Sequence, residues 1–266
     1  MAEVSVRGLT KRFGTVTAVR DLTFEVPAGV TGFLGPNGAG KTTTLRALLG
    51  LVAPTAGSAT IGGRRYRDLR HPRRVVGALL ETSGFHPGRS AREHLAILAG
   101  LTGLSDPAGR VDTVLEEVGL TADAGRRVGG YSLGMRQRLG LAGALLGDPE
   151  VLILDEPGNG LDPAGLSWLR GLLRDLGRQG RTVIVSSHVL AEVAQTADRA
   201  VIVNAGTLRY AGPLDELSGS AGSFAALEAA FLHLTAEKAG LVEKAGPAEM
   251  AGPAEKAGPV EKEGAK

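Results

Sequence analysis

Apolar residues recur with different periods along the chain. In the first 34 residues they alternate with polar ones, as in residues 22–26, which predicts short strands of a half-exposed antiparallel sheet. From about 85 to 147 the apolar positions recur at helical spacing, which predicts a group of helices. Unbroken apolar runs at 151–154 and 182–185 are typical of parallel strands buried on both faces. The pattern predicts an α/β fold with a parallel-sheet core, an antiparallel β subdomain and a helical subdomain.

Shorter elements carry boundary signals. Ser90 followed by Glu93 forms a capping box, which predicts a helix that begins after Ser90. The remaining elements are expected as strands at 57–62 and 75–80 and as helices at 43–51, 111–118 and 163–176, with a further helix after Ser132.

A glycine-rich segment follows the apolar run at 30–34. Residues 35–42 read Gly-Pro-Asn-Gly-Ala-Gly-Lys-Thr, the G-x-x-x-x-G-K-[ST] phosphate loop in its usual place between a strand and a helix. Backbone N–H groups of such a loop point at phosphate oxygens, Lys41 adds a positive charge, and the Thr42 hydroxyl can hold Mg²⁺. We therefore expect nucleotide binding by Gly35, Pro36, Asn37, Gly38, Ala39, Gly40, Lys41, Thr42 and Thr43.

Polar residues follow two of the apolar strands. Asp155 and Glu156 end the first, and His188 follows the second. Ligands of open α/β sheets lie at the carboxyl ends of the strands, so these residues are expected beside the phosphate loop. Asp155 would bind Mg²⁺ through water, and Glu156 would polarise an attacking water. A glycine-rich turn without a ligand is the competing interpretation, and this acidic strand argues against it.

The composition of the chain limits the kinds of partner, covalent cross-link and membrane segment that can be expected. The 266 residues carry a net charge of +2, and arginine doublets such as Arg73-Arg74 are expected to be solvated surface, so no nucleic-acid partner is expected. Cysteine is absent, which excludes disulfides and cysteine-based zinc sites. Neither a signal peptide nor a run of about 18 apolar residues is evident, so no membrane-spanning segment is expected.

The end of the chain differs from the rest. From Glu237 a six-residue unit rich in Gly and Pro repeats, and its lack of large apolar groups predicts disorder over 237–266. A C-terminal helix at 219–236 and a main domain at 1–218 precede it. The tail is either an interaction segment or a tolerated repeat expansion.

Several motifs together resemble one family. Residues 131–138, Tyr-Ser-Leu-Gly-Met-Arg-Gln-Arg, resemble the signature motif L-S-G-G-Q-x-Q-R of ABC-type ATPases, and residues 160–163 resemble its D-loop. His188 is similar to the family's switch histidine, and Phe13 to the aromatic residue that stacks on adenine. The resemblance covers residues from about 4 to 218 and implies the phosphate-loop ABC ATPase fold.

The resemblance also implies a mechanism. Two ATPase domains face each other head to tail, so that each ATP lies between the phosphate loop of one and the signature helix of the other. Lys41, Glu156 and His188 are then catalytic, and ATP and Mg²⁺ are the cofactors. The second subunit would contribute Ser132, Gly134, Met135 and Asp162.

Four positions depart from the family pattern. Glu81 stands where the family has a glutamine, and we keep it as a metal-side candidate. Leu133 and Met135 replace a glycine and a glutamine of the signature, and Gly158 replaces a serine or threonine. These changes concern the rate of hydrolysis and not the fold.

The chain resembles the detached ATPase subunit of bacterial exporters of the multidrug or antibiotic-resistance type. That resemblance implies a separate membrane-spanning permease, a second ATPase subunit and a peripheral location on the cytoplasmic face of the membrane. The helical region, especially near 81–90, would hold the permease. Two alternatives are a regulatory ATPase without a permease, and an ATPase that binds ATP but scarcely hydrolyses it because of Leu133 and Met135.

Overall fold

A three-stranded antiparallel sheet forms one layer of the protein. The computed structural model describes residues 2–80, 84–218 and 223–236. In this sheet β1 (Val4–Phe13) pairs with both β2 (Val16–Val26) and β4 (Ala56–Ile61), in the order β2-β1-β4. Its strands alternate buried and exposed residues, which confirms the predicted half-exposed sheet. The predicted short strands were wrong in length, because β1 and β2 form one long hairpin.

The second sheet is the predicted parallel core. Its strands lie in the order β5-β6-β7-β3-β8-β9, and only β9 runs antiparallel to its neighbour. The two apolar runs form adjacent parallel strands of this sheet that are almost entirely buried, as predicted. The strands are β3 (Gly29–Leu34), β5 (Val76–Leu79), β6 (Val151–Asp155), β7 (Thr182–Ser187), β8 (Arg199–Asn204) and β9 (Thr207–Pro213).

Helices cover the sheet and form a separate group. Among them α3, α4 and α5 pack on one another and build the predicted helical region. The capping box is present, since Glu93 N donates to Ser90 Oγ at 3.2 Å and Ser90 N to Glu93 Oε2 at 2.8 Å. The helices are α1 (Lys41–Leu48), α2 (Pro72–Val75), α3 (Ala91–Ala99), α4 (Pro107–Glu117), α5 (Leu133–Leu145), α6 (Pro163–Arg178), α7 (Leu190–Ala194), α8 (Leu214–Ser218) and α9 (Phe224–Ala236).

Several predicted boundaries were wrong; α4, for example, begins at Pro107 instead of residue 111. Helix α1 begins at Lys41 and ends at Leu48, instead of spanning 43–51, because Gly40 and Gly50 have φ values of 100° and 68° and bound it. Strand β5 is limited to Val76–Leu79, because Pro72 begins the short helix α2 just before it.

Some predictions fall on residues outside the described ranges. These are Glu81, residues 219–222 at the start of the expected C-terminal helix, and the repeat tail at 237–266. Helix α9 occupies 224–236 and packs through Leu227 on a small core with α7, α8 and β8. Over the described ranges, no helix has both the length and the apolar character that a bilayer crossing requires.

Candidate active site

The phosphate loop joins β3 to α1 at the carboxyl end of the parallel sheet. A Cβ atom on Gly35 would overlap the carbonyl oxygen of Val203, and one on Gly40 would lie 2.7 Å from the carbonyl oxygen of Ala18. Glycine is therefore required at both positions by the packing of the loop on β8 and β2. Gly38, in contrast, has a φ of 78° and faces open space.

Hydrogen bonds fix this loop to its surroundings. Gly206 N, in the turn between β8 and β9, donates to the carbonyl oxygen of Ala39 at 3.1 Å, and Arg20 N donates to Gly206 O at 2.7 Å. Within the loop Ala39 N donates to Pro36 O at 3.1 Å. The loop is thus held in shape by both sheets, which preorganises its backbone N–H groups.

Lys41 is folded over the loop. Its side chain is buried, with 7% of the residue exposed, and Nζ donates to Gly35 O at 2.6 Å and to Pro36 O at 3.3 Å. Burial lowers the pKa of Lys41, and the negative charges of Glu156 and Asp155 oppose that shift. Thr42 and Thr43 belong to the first turn of α1 and not to the loop.

The carboxylate of Asp155 is bound on both sides. Asp155 is buried, with 1% exposed; its Oδ2 accepts a hydrogen bond from Thr42 Oγ1 at 2.8 Å, and its Oδ1 accepts one from Ser186 Oγ. The predicted juxtaposition of the loop and the acidic strand is therefore observed. Ser186 was missed, although the register of β6 and β7 places it directly beside Asp155.

Glu156 and His188 form a pair next to it. His188 Nδ1 lies 2.9 Å from Glu156 Oε2, and Glu156 N donates to Ser186 Oγ at 3.0 Å. Glu156 has a φ of 50°, a left-handed conformation that is uncommon for a residue with a side chain. Gln137 of α5 supports this turn, because its Nε2 donates to Pro157 O at 3.0 Å. Strain of this kind is typical of functional sites.

The donor set fits Mg²⁺. Thr42 and Asp155 offer only oxygen atoms, which are the ligands that Mg²⁺ prefers. The described residues contain no cluster of three or more His, Cys, Asp or Glu that could enclose an ion. A site of this kind suits Mg²⁺ bound by a few protein oxygens together with phosphate and water.

Phe13 lies at the tip of the β1–β2 hairpin. Its ring is half-exposed, and Lys11 Nζ lies 4.8 Å from its centroid. On the following strand Ala18 and Val19 lie against Gly40 of the phosphate loop. The hairpin therefore connects the exposed aromatic ring to the edge of the loop.

The signature residues contact a different loop. Ser132 caps α5, and its Oγ accepts from Met135 N at 3.2 Å. This first turn contacts the loop after β6, since a Cβ on Gly134 would lie 3.1 Å from Gly160 O. Leu133 also packs on Gly160, although 63% of Leu133 is exposed. The first turn of α5 thus presents its N-terminus and an exposed leucine at the surface.

Asp162 caps the next helix. Its Oδ1 accepts a hydrogen bond from Gly165 N at 2.8 Å at the start of α6. In the turn before it, Gly158 lies beside Glu192 of α7, and Glu192 Oε2 accepts from Ser187 Oγ at 3.4 Å. Glu192 was also missed, because only the packing of α7 brings it beside Ser187 and Gly158.

These features define an ATPase of the phosphate-loop class, with its site at the carboxyl ends of β3, β6 and β7. The family model described as "ABC transporter" matches residues 19–159. The chain is 43% identical over 217 residues, 80% of its length and 71% of the relative's, to the bacitracin transport ATP-binding protein BcrA of Bacillus licheniformis. It belongs to the ABC transporter family.

Two further likenesses agree with this assignment. The lantibiotic transport ATP-binding protein SrtF of Streptococcus pyogenes is 38% identical over 198 residues, which are 73% of this chain and 84% of the relative. The solved structure of an ATP-binding subunit of an ABC transporter superposes with a TM-score of 0.78 at 29% identity, covering 87% of this chain and 98% of that one.

Membership confirms the predicted class of activity. The chain is the ATP-binding, ATP-hydrolysing subunit of a transporter, and its partner is a permease in a separate chain. The names of the relatives give no support to the alternative of a regulatory ATPase without a permease.

Proposed function

We propose that this chain hydrolyses Mg²⁺-bound ATP at the phosphate loop and the first turn of α1, residues 35–43, to drive an exporter of the antibiotic-resistance type from the cytoplasmic face of the membrane. The observation that carries the proposal is the network at one edge of the sheet. At this edge Thr42 Oγ1 donates a hydrogen bond to Asp155 Oδ2, and His188 Nδ1 contacts Glu156 Oε2.

Each of these residues has a chemical role. Thr42 and Asp155 would hold Mg²⁺, which would neutralise charge on the transferred phosphoryl group. Lys41 would exchange its two carbonyl partners for the outer phosphates. Glu156 would accept a proton from the attacking water or orient it. His188 holds one oxygen of that carboxylate and would contact the γ-phosphate of bound ATP.

The adenine and the second subunit complete the site. Phe13, half-exposed at the hairpin tip, would stack on the base. Ser132, Gly134 and Met135 lie at the N-terminus of α5, a position that favours anions, and would contact the ATP held by the partner subunit together with Asp162. This arrangement makes hydrolysis depend on dimerisation.

The permease would bind between the sheet and the helical region. A cleft of about 370 Å³ opens there, with an apolar lining that includes Leu51, Phe85, Leu98 and Leu139. Glu81 stays a metal-side candidate of this proposal on its sequence position alone. The division into an ATPase domain at 1–218, a C-terminal helix at 219–236 and a tail at 237–266 belongs to the same proposal.

The exported compound would be an antibiotic. Support comes from the relatives, whose names specify bacitracin and lantibiotic transport. Because a chain of this kind carries the ATPase and not the permease, discrimination between such compounds would lie in the permease.

The test combines trapping and transport. Glu156→Gln should abolish ATP turnover, retain ATP binding and hold the dimer, so that affinity purification from membranes recovers a multi-span permease in stoichiometric amount. Glu150→Gln, an exposed glutamate just before β6, is the matched control and should keep full turnover. Full activity of Glu156→Gln would refute the assigned base, and failure to recover any permease from the trapped dimer would refute the transport role.

A further inference from the structure

A strongly basic segment lies between β4 and β5. Residues 64–74 contain six arginines and one aspartate and carry a net charge of +5, whereas the whole chain carries +2. The other 255 residues therefore carry a net charge of −3. Arg73 and Arg74 are exposed, as the sequence predicted, and they end this longer basic segment. The arginines are Arg64, Arg65, Arg67, Arg70, Arg73 and Arg74.

The segment is anchored by its apolar residues and presents its arginines outward. Tyr66, Leu69 and Val75 are partly buried and pack against the core beneath the antiparallel sheet. All six arginines between and around them are exposed. The segment is thus a fixed part of the fold that carries six exposed guanidinium groups within eleven residues.

Few acidic groups neutralise these arginines. Within the described part of the chain, their sole ion pair is Arg67 Nε to Asp68 Oδ1 at 3.8 Å, with side chains 71% and 57% exposed. A pair so exposed contributes little to stability. The other five guanidinium groups form no ion pair with any described residue, and a dense group of like charges is costly unless it meets an anionic partner.

The position of the segment indicates where that partner lies. Tyr66 and Arg73 also line the cleft of about 370 Å³ between β5 and the helical region. In the function proposed above, on which this inference rests, the permease enters that cleft from the membrane. The arginines beside the cleft would then face the membrane surface around the permease.

We propose that residues 64–74 bind the anionic headgroups of the membrane next to the permease. Guanidinium groups bind phosphate oxygens in a bidentate manner, and clusters of four to eight basic residues beside a bilayer are attracted to anionic lipids. An open, exposed group of arginines fits a surface that offers many phosphates better than it fits one enclosed ligand. This contact with the headgroups would orient the ATPase before and while it docks on the permease.

Vesicle cosedimentation of the full chain, without nucleotide or permease, tests this directly. The probes are vesicles of phosphatidylcholine alone and vesicles that also contain phosphatidylglycerol. The unmodified chain should bind the anionic vesicles at least about tenfold more tightly, and about 0.5 M salt should abolish the difference. The test variant is Arg64→Gln, Arg65→Gln, Arg67→Gln and Arg70→Gln combined, which leaves Arg73 in the cleft unchanged and should lose at least about tenfold in binding.

Two further variants test whether vesicle binding depends on the position and the charge of these arginines and not on an effect of the substitutions on folding. Arg7→Gln, Arg20→Gln, Arg127→Gln and Arg178→Gln combined remove the same charge from exposed sites elsewhere and should keep the binding. Lysine at the four tested positions should keep most of it, because the charge is retained. Basal ATPase activity should be unchanged in all three variants, so that a failure of the proposed function is measured separately.

Three results would overturn the proposal. The first is equal binding to neutral and anionic vesicles by the unmodified chain. The second is an equal loss in the scattered control, which would trace binding to total charge. The third is unchanged vesicle binding by the glutamine variant together with weakened binding to the permease in detergent, which would assign the arginines to an acidic protein surface instead.

Discussion

The carboxylate of Glu156 lies 2.9 Å from the imidazole of His188, although the two residues are 32 positions apart in the sequence. The contact follows from the parallel pairing of β6 and β7, since both residues come just after the ends of these adjacent strands. Glu156 also holds a left-handed φ of 50°. The fold therefore uses a strained turn to hold one carboxylate oxygen on a fixed partner.

The first prediction concerns this pair. His188→Ala should lower ATP turnover by roughly a hundredfold or more, because the carboxylate of Glu156 loses its partner and, in the function proposed above, the γ-phosphate loses a contact. His71→Ala, at an exposed histidine before α2, should have little effect. Steady-state hydrolysis by His188→Ala, by Glu156→Asp, which retains a carboxylate, and by the double variant gives the coupling between the two residues. If the two residues act as a unit, the double variant should lose little more turnover than the less active single variant. Additive losses of turnover would instead show that the two residues act independently.

The second prediction concerns Ser186, which links both acidic residues. Its Oγ donates to Asp155 and accepts from Glu156 N, and the residue is fully buried. Ser186→Ala leaves a buried carboxylate oxygen and an N–H group unpaired, and should lower the free energy of unfolding by about 1–3 kcal/mol. Urea denaturation measures this loss. Ser58→Ala, in β4 of the other sheet, should lower the free energy of unfolding less. Equal decreases in the two variants would show that the hydrogen bonds of Ser186 add no stability.

The contrast between Thr42 and Ser186 shows what the sequence can predict. Thr42, Lys41, Asp155 and His188 were located because their residue types follow apolar strands in a recognisable order. Ser186 gave no comparable signal, because a serine at a strand end is common. Its role arises from the Asp155–Ser186 register, and thus from the order of the strands in the sheet. Gln137 and Glu192 likewise act through tertiary contacts.

The boundaries of the elements show the same limit. The alternation in 22–26 correctly predicted an antiparallel strand, but the pairing of β1 with β2 extends both strands well beyond the alternating residues. Helix α1 begins at Lys41 because Gly40 adopts φ 100° against Ala18, a contact that only the folded chain makes. Local pattern therefore predicts the type of an element better than its ends.

The third prediction concerns pH and the capping box of α3. The backbone N–H of Ser90 donates to the Glu93 carboxylate and, with the Ser90 side chain, lowers the pKa of Glu93 below its ordinary value of 4.5. A lowered folded-state pKa means that this stabilisation is complete above pH 4.5 and is lost as the pH falls through the lower folded-state value. The unfolding free energies of the unmodified chain and Glu93→Gln should therefore differ most near neutral pH and converge in acid.

Denaturant titrations at several pH values check this. Glu116→Gln, on the exposed side of α4, is the control, and its difference from the unmodified chain should change less with pH. A Glu93→Gln difference that stays constant or grows as the pH falls would contradict the assigned role of the carboxylate.

The last prediction concerns Leu133, which stands where the family signature has glycine. Leu133 is packed on Gly160, so that a Cβ at Gly160 would overlap its side chain, and Gly160 also has a φ of 78°. Gly160→Ala should therefore lower the unfolding free energy for two reasons, backbone strain and the clash of the new Cβ with Leu133. In a Leu133→Gly background the clash is absent and only the strain of about 1 kcal/mol should remain. A double-mutant cycle on thermal unfolding and ATPase rate measures the coupling. Equal losses from Gly160→Ala in both backgrounds would mean that the leucine yields without cost and that its contact with the loop after β6 does not constrain the signature helix.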